Sequence, residues 1–235
     1  PQDVTGLVLA SSTGDELVEI EETPGEGQIV NSNTTALAAF CRSHGAEPIM
    51  LPIARDDEAA IRTTITSALK ADFAVSSGGV SVGEYDFVKK VLDDLGAKTI
   101  FWRVAMKPGK PLVFCTVNGV PYFGLPGNPV SSMMSFLQFV RPAIRKASGY
   151  PEADWPLPTA RAQIEHPVDN DGGRRQYMRA TLSYRDGQLF ARTAKSQGSH
   201  MISSMIGANG FVVLEPQQQA AAGDTVVVQI VGPIF

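Results

Sequence analysis

Hydrophobic and polar residues alternate in blocks along the first 150 positions, and the blocks predict strands and helices in turn. The predicted strands lie at 7–10, 48–53, 73–75, 100–104, 112–117 and 120–123. The predicted helices run from Asn31 or Asn33 to Gly45, from an Asp56 cap to Leu69, over 87–95, and over 129–147 with a kink at Pro142. Repeated strand–helix units favour an α/β fold, a mostly parallel sheet with helices on both faces.

The pattern changes after Gly149, where helical periodicity gives way to short alternating runs. Prolines punctuate the connection, and the following strands are predicted at 159–165, 176–184, 188–193, 210–215 and 225–231. About five short strands in so few residues are typical of a small all-β barrel or a sandwich. We therefore expect two domains, an α/β domain over 1–150 and a small β-barrel domain over 151–235.

Composition narrows the class of protein. The chain has 235 residues, 43% of them hydrophobic, and a net charge of −4, which argues against nucleic-acid binding. Neither an apolar run of membrane-spanning length nor a signal peptide is visible, so no membrane partner is expected. Cys41 and Cys115 lie in apolar segments without metal-ligand spacing, which indicates buried thiols in a reducing compartment and a cytoplasmic location.

The most informative loop follows the third predicted strand, with the sequence Ser-Ser-Gly-Gly-Val-Ser-Val-Gly-Glu-Tyr-Asp at 76–86. Small residues between a strand and a helix let backbone N–H groups approach a phosphate, here over 77–81. Glu84 stands where a Walker A loop has lysine, and the dinucleotide pattern is absent as well. Glu84 and Asp86 could hold a divalent cation beside the anion. The alternative is a glycine turn that serves packing only.

Three further loops follow strands and could meet that loop at one sheet edge. Residues 107–111, Lys-Pro-Gly-Lys-Pro, place two ammonium groups on a stiff turn close to Arg103, which suits a dianion; the alternative is a solvated turn. Residues 125–129, Leu-Pro-Gly-Asn-Pro, link a strand to the start of a helix, so the free N–H groups there and Asn128 could face an anion or a base; the alternative is a rigid structural turn. The acids at 15–16 are either metal ligands or solvated caps.

The second domain offers fewer candidates. Arg174 and Arg175 could bind a phosphate or carboxylate, or simply form a charged hairpin tip. His200 follows Ser199, but adjacent residues seldom align for proton transfer and no orienting acid is evident, which argues against a hydrolytic triad.

Taken in order, these segments resemble the molybdopterin molybdenumtransferase family, to which the gephyrin E domain also belongs. The resemblance covers essentially the whole chain and rests on the following segments: Ser-Thr-Gly-Asp-Glu-Leu at 12–17, Gly-Gln-Ile-Val-Asn at 27–31, Arg-Asp-Asp at 55–57, the loop at 76–86, Lys-Pro-Gly-Lys-Pro at 107–111, Gly-Leu-Pro-Gly-Asn-Pro at 124–129 and Gln-Gly-Ser-His at 197–200.

The resemblance implies that molybdenum from molybdate is inserted into adenylylated molybdopterin with release of AMP, assisted by Mg²⁺ or another divalent cation. It implies catalytic roles for Glu16, Asp56, Asp86, Arg103 and Lys107, with Asp86 and Glu16 as metal ligands. With the loop arguments it gives the binding residues Ser77, Gly78, Gly79, Val80, Ser81, Lys110, Pro126, Gly127, Asn128, Pro129, Arg179 and Ser199. Arg103 departs from the lysine expected there, so its charge is kept but its geometry differs.

The same resemblance implies a homodimer and a molybdopterin adenylyltransferase as partner. Since the family has two further domains, mostly N-terminal, that complete the site across the dimer, the chain corresponds to the third and fourth domains. We expect it to bind ligand weakly and to insert little molybdenum on its own. The alternatives are a related enzyme, of the molybdopterin adenylyltransferase or nicotinamide-nucleotide deamidase type, or a non-catalytic peptide-binding scaffold.

Overall fold

The structure is a computed structural model that describes residues 4–10 (backbone only), 14–80 and 87–234. Its strands are β1 (Val4–Ala10), β2 (Leu17–Val18), β3 (Ile29–Val30), β4 (Ala46–Met50), β5 (Phe73–Ser77), β6 (Lys98–Trp102), β7 (Met106–Lys107), β8 (Val113–Val117), β9 (Val120–Leu125), β10 (Thr159–Ile164), β11 (Val168–Asp169), β12 (Arg175–Arg185), β13 (Gln188–Thr193), β14 (Gly210–Leu214), β15 (Gln219–Ala220) and β16 (Thr225–Ile230). Its α-helices are α1 (Ser32–Ser43), α2 (Glu58–Ala68), α3 (Phe87–Asp94), α4 (Pro129–Ser135) and α5 (Arg141–Ala147).

The first sheet has the strand order β4-β1-β5-β9-β8-β6. Neighbouring strands from β4 to β9 are parallel, and β8 runs antiparallel to both β9 and β6. The carboxyl ends of β5 and β9 therefore lie side by side, with Ser77 opposite Leu125. This confirms the predicted mostly parallel α/β sheet and brings the loops that follow these two strands to one edge.

Helices cover both faces of this sheet. Alternate residues of one strand point to opposite faces, so Val75 packs with α1 and the α4–α5 layer while Ala74 packs with α2 and α3. The segment from α4 to α5 is continuous through a π-helical turn, Phe136–Val140. Pro142 lacks the N–H that would bond to residue 138, which explains a widened turn where a kink was predicted.

The second sheet closes into a five-stranded barrel in the order β13-β10-β16-β14-β12, because β12 also pairs with β13. The predicted barrel is thus confirmed, and the sandwich alternative is wrong. The eleven residues of β12 pair with β14 over their first half and with β13 over their second half. The short strand β7 of the first unit pairs in parallel with β12 at Arg175 and Gln176, a pairing that the sequence did not indicate.

Turn chemistry explains several element boundaries. Asn118 and Gly119 both have positive φ, as do Asp186 and Gly187, and these pairs close the β8–β9 and β12–β13 hairpins as predicted. Arg103 has φ +101° and ends β6 at Trp102, two residues earlier than predicted.

Two other boundaries differ from the sequence prediction. The side chain of Asp57, not that of Asp56, accepts from the Ala60 N–H and caps α2, so the prediction for Asp56 as the cap is wrong. The second predicted strand ends at Met50 because Pro52, just beyond it, cannot donate to a sheet ladder. At α1 the cap is Asn31, which accepts from the Thr34 N–H.

The two units share a core. Leu157, Tyr177 and Phe211 from the linker and barrel pack in the same apolar cluster as Met134 and Phe136 of the α4 segment. Among the described residues, no helix is long and apolar enough to cross a membrane.

Candidate functional site

The glycine loop leaves the sheet at Ser77 and turns through Gly78 and Gly79, whose φ values of +93° and +65° favour glycine. The Gly78 N–H donates to the carbonyl of Leu125 at 2.9 Å, so this donor is used inside the protein. Within the described part of the predicted phosphate-binding loop at 77–81, the Gly78 N–H is thus not free to bind a phosphate. Ser81, Glu84 and Asp86 lie outside the described residues.

The loop after β9 lies against the glycine loop. A Cβ atom added to Gly127 would lie 3.6 Å from the Cα of Gly78, an ordinary van der Waals distance, so the two loops lie close together. The Asn33 side chain of α1 joins them, because its Nδ2 donates to Ser77 Oγ at 2.9 Å and to the Gly127 carbonyl at 2.7 Å. Three segments distant in sequence are thus fixed to one another by a single side chain.

The two loops and α1 form one wall of an open cavity of about 710 Å³. Its lining residues are Glu16, Leu17, Ile29, Val30, Asn31, Ser32, Asn33, Ser77, Gly78, Gly79, Val80, Pro111, Pro126, Gly127, Asn128, Pro129, Ser131, His200 and Ile202. The volume lies in the range of small-molecule sites. Most of the predicted binding loops therefore meet in one place, and an apolar wall at Leu17, Ile29 and Val30 faces into the same space.

A second cavity of about 410 Å³ adjoins the first and shares Pro111, Asn128 and Ser131 with it. It lies between the α/β unit and the barrel, and its other lining residues are Lys107, Pro108, Gly109, Lys110, Arg174, Gln176, Tyr177, Gln197, Gly198 and Ser199. Three of these side chains are cationic, and no Asp or Glu occurs among its described lining residues. Such a charge pattern favours a small anion.

The lysine turn of the second cavity is held by backbone contacts on both sides. Lys107 belongs to β7, and the Val104 N–H donates to the Lys110 carbonyl at 3.0 Å. A Cβ on Gly109 would lie 2.3 Å from Met106 Cε and 2.9 Å from Ser135 Oγ. The turn therefore lies close to Met106 and α4, the positive φ of Gly109 favours glycine at its centre, and Lys107 and Lys110 remain exposed beside the cavity.

The barrel contributes the loop 196–199, which Arg179 holds from behind. Arg179 is 0% exposed, and its Nη2 donates to the carbonyls of Ser196 and Gly198 at 3.2 and 3.3 Å. Its Nε has no partner among the described residues, and burial lowers the pKa of the guanidinium. Arg179 therefore carries a buried charge next to the second cavity without lining it.

The loop 196–199 also reaches the α/β unit. The Val130 N–H at the start of α4 donates to the Ser199 carbonyl at 3.0 Å. This contact occupies an N–H group that we expected to face an anion, and Pro129 next to it has no N–H. The start of α4 thus serves to join the two units more than to offer free donors.

The predicted acidic residues, unlike most of the binding loops, do not all line the same cavity. Glu16 lines the larger cavity, whereas Asp56 does not; the Asp56 N–H donates to the Asp15 carboxylate at 3.5 Å, which places the two loops together. Arg103 lines neither cavity. Within the described ranges, no group of three or more His, Cys, Asp or Glu side chains could hold a metal ion.

Sequence reasoning overlooked the role of Asn33, which we considered only as a helix cap. The signal was present, since Asn33 follows a second asparagine at a helix start where one cap suffices. Ser131 was also missed, because nothing in a helical apolar pattern singles out one serine. Arg174, left open between a site and a hairpin tip, lines the second cavity and donates to the Met106 carbonyl at 3.3 Å.

Comparison with known proteins identifies both units. Residues 10–146 match the family model of the probable molybdopterin binding domain, and residues 161–231 match the MoeA C-terminal region (domain IV). A molybdopterin molybdenumtransferase of Nostoc sp. is 40% identical over 212 residues, which are 88% of this chain and 48% of that protein. One of Haemophilus influenzae is 37% identical over 222 residues, 93% of this chain and 54% of that protein.

The fold agrees with these matches. The crystal structure of a molybdopterin biosynthesis MoeA protein from Pyrococcus horikosii superposes with a TM-score of 0.81 at 30% identity, covering 97% of this chain and 55% of that one. The chain spans about half the length of these relatives. It belongs to the family of the probable molybdopterin binding domain, here followed by a barrel that matches the MoeA C-terminal region.

Proposed function

We propose that the chain takes part in molybdenum-cofactor biosynthesis and forms the binding part of a molybdopterin molybdenumtransferase, which inserts molybdenum into adenylylated molybdopterin and releases AMP. The observation that carries this proposal is the pair of joined cavities. One is bounded by two glycine-containing loops, and the other presents three cations with no described carboxylate. Such a pair suits one large phosphorylated ligand and one small dianion side by side.

In this proposal the larger cavity holds the adenylylated pterin. Gly79 and the residues around it offer backbone to the phosphates, and the apolar wall at Leu17 and Ile29 suits a planar ring system. Asn128 and Ser131 line both cavities, so the reacting end of the ligand would lie near the second cavity.

The second cavity holds molybdate as the second substrate. Lys107, Lys110 and Arg174 offset its two negative charges, and a preorganised set of donors stabilises charge that develops during transfer. The buried charge of Arg179 adds to the same positive potential from behind the loop 196–199. Arg179 in this scheme positions Ser199 and does not itself contact molybdate.

A divalent cation, Mg²⁺ by preference, fits this site in part. Glu16 is a carboxylate on the wall of the larger cavity, as a hard cation requires, and Asp86 is proposed as its second ligand. When bound, the cation would neutralise phosphate oxygens and improve AMP as a leaving group.

The two buried thiols and the length of the relatives bear on where, and with which partners, the protein acts. The two free thiols, Cys41 and Cys115, are buried, which supports a reducing compartment such as the cytoplasm. The relatives are about twice as long as this chain, and we propose that the whole protein acts as a homodimer that receives its substrate from a molybdopterin adenylyltransferase.

The first test is the substitution Lys110→Ala. Loss of a charge-assisted contact should weaken molybdate binding about 10- to 100-fold, measured by isothermal titration calorimetry with molybdate as titrant. Lys70→Ala is the control, because it removes the same charge from the exposed end of α2, away from both cavities, and should leave affinity unchanged. Equal affinities of the Lys110→Ala variant and the wild type would contradict the proposed molybdate site.

A further inference from the structure

Asn33 lines the larger cavity and yet is only 9% exposed. Both of its hydrogen bonds to described residues use Nδ2, one to Ser77 Oγ and one to the Gly127 carbonyl. The Gly127 carbonyl can only accept, so the nitrogen end of the amide must face it at 2.7 Å. This fixes which end of the Asn33 amide is oxygen.

The oxygen end is consequently left for another partner. Within residues 14–80 and 87–234, no hydrogen-bond donor is recorded for Asn33 Oδ1. Oδ1 is not sealed inside the protein, because Asn33 lies on the wall of the larger cavity. An amide oxygen held rigidly at a cavity wall is an acceptor that a ligand can satisfy.

From this geometry we infer that Asn33 is a specificity-determining residue whose Oδ1 accepts a hydrogen bond from a neutral donor of a bound nucleotide, a ribose hydroxyl or a base amino group. An oxygen acceptor repels phosphate oxygens, so the phosphate lies away from Oδ1, along the glycine loop. The inference rests on the proposed function, since it requires a nucleotide in the larger cavity.

The neighbours of Asn33 favour this assignment over a purely structural one. Ser77 Oγ already donates to the Pro126 carbonyl at 3.2 Å and lies 3.1 Å from Ser132 Oγ, so the floor of the cavity has its own network. Asn33 adds to that network with one end of its amide only. The oxygen end of the amide can therefore bind a ligand without breaking any hydrogen bond of this network.

The test combines a protein substitution with changes in the ligand, as in a double-mutant cycle. Wild type and Asn33→Ala are titrated with AMP and with three analogues that each lack one donor: 2′-deoxy-AMP, 3′-deoxy-AMP and purine riboside 5′-monophosphate. We expect one analogue to bind about 3- to 10-fold more weakly than AMP to the wild type, and to match AMP in the variant. Inorganic pyrophosphate, which has neither ribose nor base, should show a smaller loss than AMP on Asn33→Ala.

Thr34→Val serves as the matched control at the same helix start, because the Thr34 hydroxyl donates to Asn31 Oδ1 and does not line the cavity. Thermal unfolding of each variant reports whether it folds, and Asn33→Ser replaces Asn33→Ala if the latter does not. Two outcomes would overturn the inference and leave the proposed function intact. In one, every analogue still binds more weakly than AMP to the variant by the same factor as to the wild type. In the other, the substitution weakens the binding of AMP and of pyrophosphate equally. Failure of wild type to bind AMP would overturn the proposed function itself.

Discussion

Single residues decide how closely the loops of the site approach one another. The loop at Gly127 lies beside Gly78, and the Asn33 side chain holds both loops to α1. Gly109 lies at the centre of the lysine turn, where its φ of +106° favours glycine and an added Cβ would force Met106 Cε and Ser135 Oγ to move. Glycine at position 109 is thus favoured by its backbone conformation and by the close approach of two identifiable side-chain atoms.

Gly109→Ala tests this packing. The added methyl group would meet Met106 and Ser135 in a left-handed backbone conformation, so we expect a loss of about 2–4 kcal/mol in the free energy of unfolding, measured by urea denaturation. Gly45→Ala is the control, because Gly45 has φ +82° with nothing within 4 Å and should lose only about 1 kcal/mol. Equal losses would show that the turn relaxes away from α4.

Between elements, the end of α1 and the α4–α5 layer form a contact that depends on pH. His44 follows α1 and stacks on Phe136 at 6.3 Å, near Arg141 and Arg145. Burial, and then the two arginines, lower the pKa of His44 from 6.5 to about 4. The imidazole is therefore neutral in the folded chain at pH values where the unfolded chain binds a proton.

The sign of the effect follows from proton uptake. Between pH 4 and 6.5 the unfolded state binds more protons at His44 than the folded state does. The free energy of unfolding therefore rises with pH through this window, and the contribution of His44 is fully present above pH 6.5. We expect His44→Gln to reduce this slope by about 1 kcal/mol per pH unit, as measured by urea denaturation at several pH values. Gln188→Ala, an exposed substitution in the barrel unit that changes no titratable group, should keep the slope. An unchanged slope in His44→Gln would contradict the assignment.

The elements also show which parts of the fold follow from sequence. The Asn118-Gly119 and Asp186-Gly187 pairs predicted their hairpins, because positive φ at two positions leaves few other turns. Periodicity placed α2 but not its cap, since Asp56 and Asp57 are chemically alike and backbone geometry alone chooses between them. The pairing of β7 with β12 had no signal, because two residues cannot show a period and the partner lies far along the chain.

The same reasoning applies to the candidate site. Loops that follow parallel strands were expected to converge, and most of those residues do line the two cavities. The role of Asn33 escaped prediction because it depends on which acceptor each end of its amide meets, and this is a property of three dimensions. Whether the predicted residues act in catalysis stays a prediction.

At the scale of the whole molecule, the two units share one apolar cluster and should unfold together. Phe211 of the barrel is 0% exposed within the cluster that contains Met134 and Phe136. Phe211→Ala should lower the melting temperature by roughly 6–20 °C. The readout is tryptophan fluorescence, since Trp102 and Trp155 both lie outside the barrel strands.

Exposed Val227→Ala on the barrel is the control and should change the melting temperature little. A Phe211→Ala variant whose tryptophan transition stays at the wild-type temperature would show that the barrel unfolds independently of the α/β unit.

The pairing of β7 with β12 has a consequence for exchanging parts between relatives. β7 pairs with the backbone of Arg175 and Gln176 at the edge of the barrel sheet. The Arg175 N–H donates to the Ala105 carbonyl at 3.1 Å. A chimaera that takes its barrel from another family member must therefore keep the backbone register of this edge, whatever side chains it carries. One inserted or deleted residue between Asn170 and Arg175 would move the lysine turn relative to Ser199, even in a hybrid whose two halves each fold correctly.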